Sequence, residues 1–282
     1  MEIGSRQIGL VSDVLQAMAR CFDERVHQPF IVIGATARDI ISIIFKSDRP
    51  MRRTRDLDIS VAVADWESFN HIAQSLQECG FRKDDTIKQR FYYPIAGLEY
   101  EVDVIPFGGV SPDEKHIYWP PDMDPMMTIR GFNAELSHCI EIAVPDAGYS
   151  FQIPTAAGLF LLKLDAWVDR HYKTDKDAQD MRYLMDSYYL PQCTEPKYEA
   201  VFDIPEFTVL KAGAYMLAID ICELLTEENL RFYYELVRDE VQKAEASQLL
   251  QMTMRSDDYT DVEQAWGQMR DVLQMKLSEY NA

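Results

Sequence analysis

Apolar and polar positions in the first half of the chain predict alternating strands and helices. An apolar run at 30–34 predicts a buried strand that ends in a glycine turn, and residues 37–45 then follow a helical period. Residues 56–63 (DLDISVAV) alternate polar and apolar side chains, which predicts a strand with one buried face. Two more strands are predicted at 89–95 and 99–106, joined by a tight turn. This mixture is typical of an α+β domain.

Further signals complete the first part of the chain. Residues 8–25 follow a helical period, and a second helix is predicted to begin after Asp65, a candidate N-cap, and to end before Gly80. Residues 107–125 are rich in glycine and proline and predict a long ordered loop. A hairpin is predicted over 139–153.

The rest of the chain is predicted to be helical. The apolar periods define five helices, at residues 156–172, 177–189, 207–225, 227–254 and 261–280. We therefore predict a boundary at residue 154, with an α+β domain at 1–154 and a helical domain at 155–282.

Composition narrows the class of protein. The 282 residues include 28 Lys and Arg against 47 Asp and Glu, a formal net charge of −19. Such a surface repels nucleic acid at long range, so a nucleic-acid substrate would need a local basic patch. The five scattered cysteines form no C-x-x-C pair, and no apolar run approaches the roughly 20 residues of a membrane span. With no secretory signal visible, we expect a soluble cytoplasmic protein without a membrane partner.

Sequence motifs exclude two common kinds of site. The five histidines have no spacing typical of a zinc site, and no G-x-x-x-x-G-K-[ST] run of a P-loop is present. The chemistry must therefore be sought elsewhere.

The strongest chemical signal is a set of carboxylates on predicted strands. Asp56 and Asp58 are two positions apart, so their side chains share one face of their strand. They repel each other unless a cation lies between them, and Mg²⁺ commonly joins one or two carboxylates to substrate phosphates. Asp103, on a later strand, is a candidate third ligand. Glu99 and Glu101 share its predicted face, so the choice of the third acid stays open.

The segments next to these acids carry candidate phosphate-binding groups. The turn at Gly34 can bring backbone N–H groups to a triphosphate, with the hydroxyl of Thr36 and the guanidinium of Arg38 nearby. The basic loop 46–55 leads directly into Asp56, and Arg53 is our candidate from it for binding phosphate. The alternative is a solvated loop neutralised by the acidic remainder of the chain.

One face of the first helix after the boundary carries a lysine and an arginine. Lys163 and Arg170 are separated by two helical turns, and leucines flank Lys163. A half-buried ammonium needs a negative partner. That partner is either a triphosphate or active-site acid, or a purely structural salt bridge to Asp177 or Asp180.

The motifs of the first domain resemble those of a known superfamily. A strand, a glycine turn, a helix, a D-x-D strand and a later acid are similar to the pattern of polymerase-beta-like nucleotidyltransferases. The matching segments here are GAT at 34–36, DLD at 56–58 and VDV at 102–104. The usual second Gly or Ser of the turn is Ala35, and Thr36 can supply the hydroxyl.

The resemblance continues in the helical part. Residues 162–170 (LKLDAWVDR) and 176–180 (KDAQD) are similar to a signature of AbiEii-type nucleotidyltransferases, the toxins of abortive-infection toxin–antitoxin systems. In that family the last acid belongs to the active site, which implies Asp180 first and Asp177 second. Lys163 and Arg170 would then neutralise charge on the triphosphate.

The resemblance implies a fold, an activity and partners. The fold would be a nucleotidyltransferase-type mixed sheet with flanking helices, and the C-terminal helical bundle would complete the active site and shape the acceptor cleft. The enzyme would use Mg²⁺ (or Mn²⁺), held by Asp56, Asp58 and Asp103, to move an NMP from an NTP to a hydroxyl acceptor. That acceptor would be RNA such as tRNA, or a protein, and toxin-like relatives imply an antitoxin partner or a role in phage defence.

Two readings without transfer remain open. The chain could be a catalytically silent nucleotide-binding or interaction module with the same fold, or an acidic scaffold in which D-x-D is accidental. The presence of all three acids together with Lys163 argues against a silent module.

Overall fold

The computed structural model describes residues 1–47, 56–124, 126–130, 132, 136, 138–256 and 258–280. The chain divides into two compact units, Met1–Thr155 and Ala156–Ala282, one residue beyond the boundary placed from the sequence. In the ranges described, no helix combines the length and the apolar character that crossing a membrane requires.

In the first unit helices are interspersed with strands up to residue 78, and the elements described after that residue are strands. Its helices are α1 (Ser5–Ile8), α2 (Val11–Cys21), α3 (Gly34–Ile44) and α4 (Trp66–Glu78), and a π-helical turn, Phe22–Val26, extends α2. Its strands are β1 (Ile31–Ile33), β2 (Asp56–Val63), β3 (Arg82–Lys83), β4 (Arg90–Ile95), β5 (Leu98–Gly108), β6 (His116–Tyr118), β7 (Met126–Thr128), β8 (Cys139–Val144) and β9 (Tyr149–Pro154).

A mixed sheet forms the centre of this unit. Its strand order is β3-β4-β5-β2-β1-β9-β8, with β2 parallel to β5 and antiparallel to β1. Leu57, Ile59 and Val61 of β2 are fully buried, because every second side chain of the DLDISVAV strand faces the core. Strand β2, the predicted carboxylate strand, is therefore central and has a neighbour on each side.

Local signals explain the helix ends. The Asp65 carboxylate accepts a hydrogen bond from the Ser68 backbone N–H at 2.8 Å, and Gly80 follows α4 with a φ of 93°. The predicted helix over this segment is confirmed. The helix predicted at 37–45 is longer than expected, because α3 already begins at Gly34.

The prediction of one long loop at 107–125 is wrong in part. Strand β6 lies inside it and pairs antiparallel with β7. Ile117 of β6 is fully buried, and the Trp119 ring packs 5.3 Å from the Phe69 ring. These buried apolar side chains organise the segment despite its prolines.

The second unit is helical. Its α-helices are α5 (Ala156–Arg170), α6 (Lys176–Gln192), α7 (Val209–Leu224), α8 (Glu227–Gln242), α9 (Gln248–Thr253) and α10 (Tyr259–Tyr280), with 3₁₀ turns at Pro196–Asp203 and Ala244–Ala246. The predicted α+β class and C-terminal helical region are confirmed.

One predicted helix of this unit is divided. The sequence predicted a single helix over 227–254, but α8 ends at Gln242 and α9 starts at Gln248. Ser247 is the N-cap of α9, since its hydroxyl accepts the Leu250 N–H at 3.1 Å. The cap starts a new helix although the apolar period continues through this segment. The prediction of a single helix over 227–254 is therefore wrong.

Candidate functional site

Gly34 connects β1 to α3 and lies against the second acid of the D-x-D strand. Its φ is 67°, a left-handed conformation that favours glycine. A Cβ atom at this position would lie 2.1 Å from Asp58 Oδ2, closer than any real contact. The register agrees, because Ile33 of β1 is directly opposite Asp58. The glycine therefore lets the turn backbone approach the Asp58 carboxylate.

Strand pairing places four carboxylates on one side of the sheet. In the parallel register of β2 and β5, Asp56 is opposite Glu101 and Asp58 is opposite Asp103. Partners in neighbouring strands share a face and lie about 4.8 Å apart along the hydrogen-bonding direction. We call Asp56, Asp58, Glu101 and Asp103 the acidic face. The opposite face carries the fully buried side chains of Leu57 and Val102.

Arg90 of β4 contacts two members of the acidic face. Its Nε and Nη2 atoms donate to Oδ1 and Oδ2 of Asp103 at 2.8 and 2.9 Å. Its Nη1 atom lies 2.7 Å from Glu101 Oε2. These carboxylates raise the pKa of the Arg90 guanidinium above its ordinary value, mainly through the Asp103 hydrogen bonds. The guanidinium therefore stays charged across the physiological range.

Sequence reasoning missed Arg90, although a signal was present. The tight turn pairs Ile95 with Leu98, and counting back along both strands places Arg90 opposite Asp103. A hairpin register of this kind can be derived from the turn length alone.

The structure separates the three acids among which the sequence could not choose. Glu99 is held by Arg82, with Nη2 to Oε2 at 2.8 Å, and its side chain is 55% exposed. The described register of β5 with β2 begins at Glu101, two residues after Glu99. Asp103 is directly beside Asp58 and its side chain is only 15% exposed, against 45% for Glu101. Asp103 is thus the better-placed candidate.

The start of α3 contributes further polar groups. The Thr36 hydroxyl donates to the Asp56 backbone oxygen at 3.5 Å, and the Thr36 residue is buried. Arg38 is also buried, and its Nε donates to Asp39 Oδ1 at 2.9 Å. The Arg38 guanidinium, which the sequence predicted to bind phosphate, therefore already pairs with the Asp39 carboxylate.

Tyr100 reports the electrostatics around these acids. Burial raises its pKa to about 12, and the negative charges of Asp56, Asp39 and Asp58 add to the effect. Asp39 therefore adds to the negative potential at Tyr100, and it is not among the residues predicted from the sequence. Its position directly after Arg38 near the glycine turn was the available signal.

Arg53, predicted to bind phosphate, and the arginines around it lie in the segment 48–55, outside the described residues.

The second unit gathers the other predicted site residues. The Lys163 Nζ atom lies 2.8 Å from Asp180 Oδ2 and 3.5 Å from Asp177 Oδ1. Arg170 donates from Nε and Nη2 to both oxygens of Asp177, at 2.7 and 2.8 Å. We call these four residues the charge cluster. Lys163, Asp177 and Asp180 are buried, whereas Arg170 is half-exposed.

Helix geometry builds the charge cluster. Lys163 and Arg170 project from one face of α5, and Asp177 and Asp180 lie in the first turns of α6, where the helix dipole favours negative charge. Although burial raises the pKa of Asp177, the hydrogen bonds from Arg170 and the charge of Lys163 hold it below its ordinary value. Both acids contact Lys163, so Asp177 and Asp180 remain alternatives for the active-site acid.

The acidic face supplies the donor chemistry of a hard divalent cation. Carboxylate groups are typical protein ligands of Mg²⁺, and two adjacent strands supply four carboxylates here. In the described part of the chain, no three His, Cys, Asp or Glu side chains are already arranged around a metal position. Both oxygens of Asp103 accept hydrogen bonds from Arg90. The carboxylates are thus the right kind of ligand for Mg²⁺, but one of them, Asp103, is also hydrogen-bonded to the Arg90 guanidinium.

Comparison with known proteins adds no family assignment, since the chain matches no family model and has no significant similarity to a curated protein.

Proposed function

We propose that the chain is a polymerase-beta-like nucleotidyltransferase that moves an NMP from an NTP to a hydroxyl acceptor. One observation carries the proposal: β2 places Asp58 beside Asp103 on one side and against the positive-φ Gly34 on the other. A D-x-D strand, a glycine turn and a third acid are the parts from which the resemblance was drawn, and they lie together on the three central strands of the sheet.

In this proposal the acids of the first unit hold the metal. Asp56, Asp58 and Asp103 would be the ligands of Mg²⁺ (or Mn²⁺), which when bound would neutralise phosphate charge and lower the pKa of the attacking hydroxyl. The Gly34 turn is the candidate for contacting the phosphates through its backbone N–H groups. The hydrogen bond from the Thr36 hydroxyl to the Asp56 backbone oxygen ties the start of α3 to β2. Catalysis would come from positioning and electrostatics.

For the charge cluster of the second unit we propose a role that rests on the resemblance. Lys163 and Arg170 would neutralise the triphosphate, and Asp180 (or Asp177) would hold them in place. This assignment is supported by the resemblance of 162–180 to the AbiEii-type signature and by the direct Lys163–Asp180 contact of 2.8 Å. In this proposal the acceptor is RNA such as tRNA, or a protein, and an antitoxin is the partner of the toxin-like enzyme.

A silent nucleotide-binding module is the competing function. The observation in its favour is that Arg90 already pairs with Asp103. A site whose third carboxylate is permanently held by arginine would bind a nucleotide without transferring it.

A transfer assay decides between them. The full chain is incubated with Mg²⁺, each α-labelled NTP in turn, and total tRNA or cell lysate, alongside Asp56→Ala/Asp58→Ala. Label on an RNA or protein band with the wild type alone supports the transferase. Absence of label under every NTP, with a melting temperature that Mg²⁺ and nucleotide raise, supports the silent module. If neither label transfer nor a rise in melting temperature is observed, the hypothesis of an acidic scaffold remains.

A further inference from the structure

Strands β3, β4 and β5 carry two arginine–carboxylate pairs of similar geometry in different surroundings. Arg82 binds Glu99 with two hydrogen bonds of 3.0 and 2.8 Å. Arg90 binds Asp103 with two of 2.8 and 2.9 Å. The Arg82 and Glu99 side chains are 54% and 55% exposed, whereas those of Arg90 and Asp103 are 22% and 15% exposed. Only the second pair lies beside the D-x-D strand.

Burial makes the electrostatic influence of Arg90 stronger than that of Arg82. An exposed pair is screened by water and contributes little, whereas a partly buried bidentate pair is held by stronger charge-assisted hydrogen bonds. Arg90 also contacts Glu101 at 2.7 Å, so one guanidinium serves two members of the acidic face. Its positive charge lies next to the position that a cation bound by Asp58 and Asp103 would take.

We propose that Arg90 is an internal counter-ion of the acidic face, which competes with the divalent cation for Asp103 and so keeps metal affinity low until nucleotide phosphates supply further ligands. The inference rests on the proposed function, because it takes Asp56, Asp58 and Asp103 as the metal ligands. A carboxylate that neutralises a guanidinium holds a metal ion less tightly, and the guanidinium itself repels the ion. Mg²⁺ is commonly bound by one or two carboxylates together with substrate phosphates.

Binding of Mn²⁺ alone tests the proposal. Four versions of the full chain are freed of metal with EDTA and titrated by calorimetry: wild type, Arg90→Gln, Arg82→Gln and Asp58→Ala. Glutamine at 90 can still donate to Asp103 but carries no charge. We expect Arg90→Gln to bind Mn²⁺ about tenfold more tightly than the wild type. Arg82→Gln, the matched control on the adjacent strand β3, should stay within about twofold, and Asp58→Ala should lose binding.

The outcomes separate this inference from the proposed function. If Asp58→Ala loses Mn²⁺ binding while Arg90→Gln binds like the wild type or more weakly, the counter-ion role is overturned and the metal site stands. If neither the wild type nor Arg90→Gln binds Mn²⁺, or if Asp58→Ala binds it as well as the wild type does, the metal site fails and the inference fails with it.

A measurement on the wild type guards against a misfolded variant. In ¹⁵N-labelled protein, we expect the Arg90 Nε–H signal to shift on Mg²⁺ addition with the midpoint of Mg²⁺ binding, while the Arg82 signal stays in place. Arginine-to-lysine variants assign the two signals. An Arg90 signal that does not move while Mg²⁺ binds would overturn the proposal.

Discussion

The acidic face and the charge cluster both gather carboxylates with basic side chains, but their balance of charge differs. The charge cluster pairs two acids with two bases, and three of its four residues are buried. On the acidic face four carboxylates lie on adjacent strands, and within the described ranges Arg90 contacts two of them, Asp103 and Glu101. A balanced cluster is satisfied by its own side chains, whereas an excess of adjacent carboxylates is relieved by a bound cation. The comparison therefore predicts opposite responses when one charge is removed from each.

The largest effect should be on activity at the acidic face. Asp58→Asn keeps the shape of the side chain but removes a proposed metal ligand. We expect transfer of the labelled nucleotide to fall at least about 1,000-fold, or about 4 kcal/mol of transition-state stabilisation. The melting temperature in EDTA shows separately whether the fold is retained. Transfer that survives this change would contradict the proposed site.

Removing a charge from the charge cluster should instead destabilise the fold. Lys163→Met leaves Asp180 and Asp177 buried without the cation between them, so we expect the free energy of unfolding to fall by about 3 kcal/mol. Urea denaturation measures it. Lys276→Met is the control, because Lys276 pairs with Glu279 on an exposed helix surface and should cost less than about 0.5 kcal/mol. Equal losses of unfolding free energy in Lys163→Met and Lys276→Met would show that the buried ion pairs of the cluster contribute no more than an exposed pair.

Substitutions at two glycines of the first unit distinguish the cost of backbone strain from the cost of a clash with the acidic face. Gly34 and Gly148 have φ values of 67° and 70°, but a Cβ at Gly148 would meet nothing within 4 Å. Gly148→Ala should therefore cost only the left-handed penalty of about 1–2 kcal/mol. Gly34→Ala adds a clash with Asp58 and should cost about 2 kcal/mol more. Equal costs in urea denaturation would contradict the close approach of the turn to Asp58.

The smallest effect should depend on pH. Arg170 lowers the pKa of Asp177, so this ionised carboxylate stabilises the folded state above its unfolded pKa. That contribution is lost as the pH falls through the lower pKa of the folded state. We expect Arg170→Gln to lose about 1.5 kcal/mol of unfolding free energy at pH 7. The difference from the wild type should shrink below about pH 4, and a loss that is constant from pH 7 to 3 would assign it to packing.

Local patterns predicted the elements of the site better than its contacts. Both ends of β2 follow from its alternating sequence, and Asp65 marks the start of α4 through its own hydrogen bond. The position of β2 between β1 and β5 depends on pairing between distant segments, which no local period records. The electrostatic effect of Asp39 on Tyr100 likewise depends on folding, although the position of Asp39 next to the glycine turn was visible in the sequence. The sequence did name Asp177 and Asp180 among the alternative partners of Lys163, beside a triphosphate, and both aspartates contact it.

The position of Arg90 also bears on the order in which the sheet is assembled. Arg90 and Asp103 are 13 residues apart and belong to one hairpin, whereas β5 joins β2 across a much longer stretch of chain. Contacts between residues close in sequence form early because they close short loops. We therefore expect Asp103 to be neutralised by Arg90 before its hairpin docks beside Asp56 and Asp58. A nascent chain would thus bring the mutually repelling strands together with part of their charge already screened.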